Sequence, residues 1–203
     1  MKTGILKKVV FGVMACVLSL GVAGGLSACG GNAEQVIRDG IDSELSAFKN
    51  PTKENLSKYV DEDSSSISQI KSYGVDPYEF LGHVFDKFDY EIGDIKVDGD
   101  TATAVVTVKN VDVASALEET SDYFKSSDNA AELMEIYQSD GKMGLYKKFF
   151  SQFYEFVDAK EDTVSTDVTI HLTKKDNTWS IDDDSITDLV KGAYGGADLS
   201  SLE

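Results

Sequence analysis

The stretch that decides the fold runs from Phe85 to Asn110, FDKFDYEIGDIKVDGDTATAVVTVKN. Up to Phe88 the apolar residues Phe80, Leu81, Val84, Phe85 and Phe88 recur at helical spacing. From Tyr90 the period falls to 2, the signature of a half-buried strand. Ala102, Ala104, Val106 and Val108 occupy one side of Thr101 to Lys109, with mainly threonines on the other. Asp98-Gly99 separates two such runs and predicts a hairpin. The step from Ile92 to Ile95 is odd, so a bulge or a late strand start is expected around Gly93-Asp94.

Upstream the chain reads as helices. Ile37, Ile41, Leu45 and Phe48 form one stripe between Val36 and Lys49, which Asn50-Pro51 ends. Thr52 is placed to cap a second helix to about Val60, and Ile67 to Tyr73 predicts a short helical turn. Asp76-Pro77-Tyr78-Glu79 is a helix start with an acid three residues after the cap. Downstream, residues 111 to 158 return to helical period. Val113, Leu117, Ser121 and Phe124 form one stripe, and Leu145, Phe149, Phe153 and Phe156 another. Val168, Ile170 and Leu172 then alternate, Lys175-Asp176-Asn177 turns, and Trp179 and Ile181 share a face. A short helix follows Asp182-Asp183-Asp184, with Lys191 and Gly192 at its end.

The order of these pieces predicts an α+β domain. N-terminal helices pack on an antiparallel sheet of about four strands, and a helical block is inserted between two strand pairs. Residues 85–110 and 168–183 resemble small exported lipoproteins of Gram-positive bacteria assigned to families of unknown function. Those families are grouped with the cystatin-like, nuclear-transport-factor-two-like cone fold. That resemblance implies a curved sheet, and it carries over no functional residue.

The first thirty residues set the location. Lys2, Lys7 and Lys8 precede an apolar run that opens at Val9 and continues to Leu26, with no acid before Glu34. This is the pattern of a secretory signal, the alternative being a membrane helix that stays in place. Leu26-Ser27-Ala28-Cys29 resembles the lipobox of bacterial lipoproteins. The resemblance implies cleavage between Ala28 and Cys29, lipidation of Cys29, and a place on the extracytoplasmic face of the cell membrane. The expected organisation is a signal peptide at 1–28, a lipidated tether at 29–33, one domain at 34–192 and a flexible tail at 193–203.

Charge narrows the function. The chain has 19 basic and 36 acidic residues, a formal charge of −17. Without Lys2, Lys7 and Lys8 the basic count is 16 and the charge −20. Such a surface repels nucleic acid and anionic headgroups, so no nucleic-acid partner is expected. Cys16 leaves with the signal and Cys29 is acylated, leaving no thiol for a disulfide, metal or nucleophile.

No nucleotide-binding or hydrolase motif is present, His83 and His171 have no acid or nucleophile at a recognised spacing, and no cofactor is implied. Asp61 to Ser66, the Asp98 and Asp100 pair, and the Asp182–Asp184 run could each suggest a cation. Loop, turn and cap chemistry account for them, and calcium at Asp182–Asp184 is the sharper alternative. Tyr146, Phe149, Phe150, Phe153 and Trp179 read as core, or as the lining of an apolar pocket. The expected function is therefore a non-catalytic binding or envelope-associated lipoprotein. The alternatives are capture of a small apolar ligand and an enzyme using a carboxylate acid or base.

Overall fold

The hairpin forms, one residue later than the Asp-Gly pair suggests. A computed structural model describes residues 26–27 and 33–196. In it strand β2 (Asp89–Asp98) pairs with β3 (Thr101–Asn110), closing on Asp98 opposite Thr101. The loop is thus Gly99-Asp100, and Gly99 takes φ +61° at the first loop position, where type II′ turns place glycine. The expected bulge lies between Ile92 and Ile95. It lets Ile92, opposite Val106, and Ile95, opposite Ala104, face inward together. The carbonyls it frees are taken by Arg38, whose Nη1 donates to Ile92 O (2.6 Å) and Nη2 to Gly93 O (2.8 Å).

The remaining elements are β1 (Leu26–Ser27), α1 (Ala33–Lys49), α2 (Lys53–Leu56), α3 (Ser65–Ser72) and α4 (Pro77–Phe85) before the hairpin. After it come α5 (Val113–Lys125), a 3₁₀ turn, α6 (Ala130–Asp158), β4 (Val164–Lys175), β5 (Thr178–Ile181) and α7 (Asp183–Ala193). The caps follow the local chemistry. Thr52 accepts from Asn55 N, Ser64 from Ile67 N, and Asp76 from Tyr78 N with Pro77 at the first helical position. The second helix stops at Leu56 rather than near Val60. The β4–β5 turn puts Asp176 and Asn177 both at positive φ (52° and 63°), as a two-residue type I′ loop requires.

The antiparallel sheet has the order β1-β5-β4-β3-β2. The inner side chains of β3 and β4, from Ala104 and Val106 to Ile170 and Leu172, are buried. Helix α1 packs on β2, and α7 lies across β4 and β3. Gly192 allows that approach, since a Cβ there would sit 2.5 Å from Val108 Cγ2. The opposite face, with Thr101, Val105, Asp167, Thr169 and His171, is exposed.

Two expectations are corrected. The sheet is neither curved nor closed into a cone: β1 and β2 remain separate edges. Curling needs bulges or glycine kinks across several strands. Here β3 and β4 pair without interruption from Thr101–Thr173 to Asn110–Val164, and the only register shift in the β2–β3 pairing is at Ile92/Ile95. The domain also extends past residue 192. Ala193 and Tyr194, expected in a flexible tail, are 4% and 0% exposed. Residues 197–203, the signal segment apart from 26–27, Ala28, Cys29 and residues 30–32 lie outside the described residues.

Candidate functional site

Helix α4 buries Phe80, Leu81, Val84 and Phe85. Its other side carries Glu79, His83 and Asp86, spaced four and three residues apart and therefore in one stripe. Gly82 adds no side chain between them, and a Cβ there would meet nothing. With Pro51 and Asp158 these residues line a groove of about 520 Å³.

Asp158, the last residue of α6, fixes the imidazole. His83 Nδ1 lies 2.9 Å from Asp158 Oδ1 and 3.1 Å from Oδ2. The ring stacks on Tyr154 with centroids 4.1 Å apart and planes at 12°. Lys87 closes the same helix end, its ammonium donating to Asp158 O (3.2 Å) and to Lys160 O. A cation there satisfies terminal carbonyls and opposes the helix dipole. Burial pushes the Tyr154 hydroxyl above its ordinary range, and the carboxylates of Glu79 and Asp76 add to the rise.

A carboxylate-oriented imidazole is one part of a general-base arrangement. The rest is missing from the groove lining, which contains no Ser, Thr or Cys. The site is also open, with the His83 and Asp158 side chains 30% and 50% exposed. It can accept or donate a hydrogen bond and favours positive charge. As a half-exposed pair it is worth at most about 1 kcal/mol. His83→Ala is accordingly expected to cost about 1 kcal/mol by urea denaturation, chiefly through the lost stacking on Tyr154. A loss several times larger would show the pair to be a main support of the fold.

The other sequence candidates are dispersed. Phe150 and Phe153 pack on Phe80 at 6.2 and 5.7 Å, and Phe149 packs on Phe124 and Phe150. Tyr146 packs against Tyr73, with ring centroids 4.3 Å apart and planes tilted at 57°. Phe149, Phe150, Phe153 and Trp179 are 0–3% exposed. Trp179 sits apart on β5 beneath the Lys174 ammonium, 5.8 Å from the ring centroid.

The acidic runs have structural partners. Glu62 accepts from Lys71 (2.7 Å) and from Tyr78 Oη (2.8 Å), which hold its carboxyl below the usual range. Burial first, and Glu62 second, push the Tyr78 hydroxyl up to about 12. Asp182 accepts from Thr173 Oγ1 (3.1 Å), while His171 N donates to Ser185 Oγ (2.9 Å), so these groups fasten the start of α7 to β4. Among the described residues no group of three or more His, Cys, Asp or Glu is arranged to hold a metal. The His83–Asp158 pair has no signal in the sequence, its members lying 75 positions apart.

No protein-family model matches the chain, and no curated protein matches it. Among solved structures it is similar to the crystal structure of a candidate lipoprotein (ycdA) from Bacillus subtilis subsp. subtilis. The identity is 16% and the TM-score 0.42, covering 80% of this chain and 47% of that one. The chain thus spans about half the length of that protein.

Proposed function

We propose that the chain is a lipid-anchored extracytoplasmic domain, held to the cell membrane through Cys29, whose task is binding rather than catalysis. One observation carries the reading: Leu26-Ser27-Ala28-Cys29 stands at the end of an apolar run with a basic start. Two acyl chains anchor stably where one would be reversible, at about 0.8 kcal/mol per buried methylene. Helix α1 begins at Ala33, leaving three residues after Cys29. At roughly 3.5 Å per extended residue, such a tether keeps the domain near the bilayer. The strong negative charge keeps it from lying on anionic headgroups. Among the described residues no helix is long and apolar enough to cross a membrane. The open groove at His83, without a nucleophile, is the observation that favours binding over catalysis.

Mass spectrometry of the membrane fraction tests the anchor. The wild-type chain is expected to start at a diacylglyceryl-modified Cys29, with β1 (Leu26–Ser27) lost and β5 left as that edge of the sheet. Cys29→Ala is expected to leave an unlipidated precursor of full length. An acylated product from Cys29→Ala, or a wild-type chain without lipid, would overturn the reading.

A further inference from the structure

One edge of the sheet is remade when the signal segment leaves. Strand β1 pairs antiparallel with β5, Leu26 opposite Trp179 and Ser27 opposite Thr178. Cleavage between Ala28 and Cys29, the reading on which this inference rests, removes β1 and opens the edge of β5.

The groups on that edge follow from the β4–β5 turn. Asp176 and Asn177 form a two-residue loop, so Lys175 and Thr178 flank it as a hydrogen-bonded pair. Asp182 N donates to His171 O (2.9 Å), which continues the same alternation. Thr178, Ser180 and Asp182 therefore turn their main-chain groups to β4, and Trp179 and Ile181 turn theirs to the place of β1. The opposite edge is defended. Strand β2 is bulged between Ile92 and Ile95, Arg38 holds the Ile92 and Gly93 carbonyls, and Glu91, Asp94 and Lys96 add charge. Bulges and charges discourage an added strand. Thr178–Ile181 has no bulge, proline or charge.

From this edge we infer that the mature domain binds an extended peptide segment of a partner protein, added to β5 in the place of β1. The structure already seats one antiparallel strand there. Helix α1 lies beside that strand, so the place admits a single strand more readily than a whole second copy. Charge sets the chemistry of the segment. A strand antiparallel to β5 begins beside Asp182–Asp184 and ends beside Lys174 and Lys175. Its residue opposite Asp182 shares a face with that carboxylate. Its residue opposite Thr178 lies on the cross-strand row of Thr178 and Lys175. The segment that fits is therefore uncharged opposite Trp179 to Ile181, with a base before that stretch and an acid after it. Four main-chain groups and two exposed ion pairs make the contact a weak one.

Trp179 is the only tryptophan in the chain, so its fluorescence reads occupation of the edge directly. The probe is the synthetic peptide Lys-Lys-Gly-Gly-Leu-Glu-Glu, which keeps Gly24 to Leu26 between two charged ends. The lipidated protein in detergent micelles, weighed intact first, is expected to bind it with a dissociation constant on the order of 1 mM. Glu-Glu-Gly-Gly-Leu-Lys-Lys should bind about fivefold more weakly or worse, the worth of one good exposed ion pair. The Cys29→Ala precursor should bind the first peptide about tenfold more weakly, because its own β1 competes at high effective concentration. Hydrogen exchange at the Trp179 and Ile181 amides should be fast in the mature protein and slow once the peptide is added. Four results would each overturn the inference: no binding, equal affinity for the two peptides, equal affinity of precursor and mature protein, or protection of both amides without peptide, as a second copy would give. An intact mass that retains residues 1–28 would overturn the anchor and this inference together, whereas the other results with the expected mass overturn this inference alone.

Discussion

Asn110→Ala is expected to cost roughly 3 kcal/mol or more of folding stability, as one orphaned buried group costs about 1–3 kcal/mol and this change orphans three. Asn110 is fully buried at the end of β3. Its Nδ2 donates to Val84 O (3.0 Å) and Ala193 O (2.7 Å), and its Oδ1 accepts from Val111 N (2.8 Å). One side chain thereby joins α4, α7 and the strand that carries it. Native domains are stable by only about 5–15 kcal/mol, so the variant should show a markedly lower urea midpoint. Asn110→Asp separates donors from packing. It keeps the shape and the acceptor for Val111 N, but presents a carboxylate to two carbonyls. At neutral pH it should be at least as destabilising as alanine. An alanine variant within 1 kcal/mol of wild type would mean that water satisfies the three groups and that Asn110 is no junction.

The contrast between Asn110 and the hairpin shows which features could be read in advance. Gly99, the Ile92–Ile95 step, the Thr52 cap and the Asp76-Pro77 start are encoded within a few residues, because turn and cap chemistry is local. Asn110 looks like an ordinary strand end. Its partners Val84 and Ala193 stand 26 and 83 positions away, so its role exists only after folding. His83 is hidden for the same reason, since it reads as a residue of a buried helix until Asp158 arrives beside it. The aromatic residues from Tyr146 to Phe156 are legible in the sequence as core or pocket lining. Their division among Tyr73, Phe80 and Phe124 depends on helix angles that no periodicity records. The curved sheet is implied by family resemblance and not by residue pattern, and the uninterrupted β3–β4 ladder contradicts it.

Gly195→Ala is expected to prevent cooperative folding, whereas Gly196→Ala should fold. Both glycines have left-handed backbone, φ +70° and +80°. They close α7 in a Schellman arrangement, with Gly195 N donating to Gly192 O (3.0 Å) and Gly196 N to Lys191 O (2.9 Å). The left-handed penalty alone, about 1–2 kcal/mol, applies equally to the two. Space does not. A Cβ on Gly195 would lie 2.2 Å from Val111 O and 2.9 Å from Asp112 Cα, while one on Gly196 meets nothing within 4 Å. The obstructing atoms are backbone and cannot rotate away. Relief would require α7 to lift from the start of α5, exposing the wholly buried Tyr194 and breaking the Asn110 bond to Ala193. Thermal unfolding followed by circular dichroism distinguishes the cases. Gly196→Ala should give a sigmoidal transition lowered by several degrees, at about 4 °C or less per kcal/mol for a domain of this size. Gly195→Ala should give none. Equal transitions in the two variants would show that the chain yields at Val111, and that close packing there does not hold α7 in place.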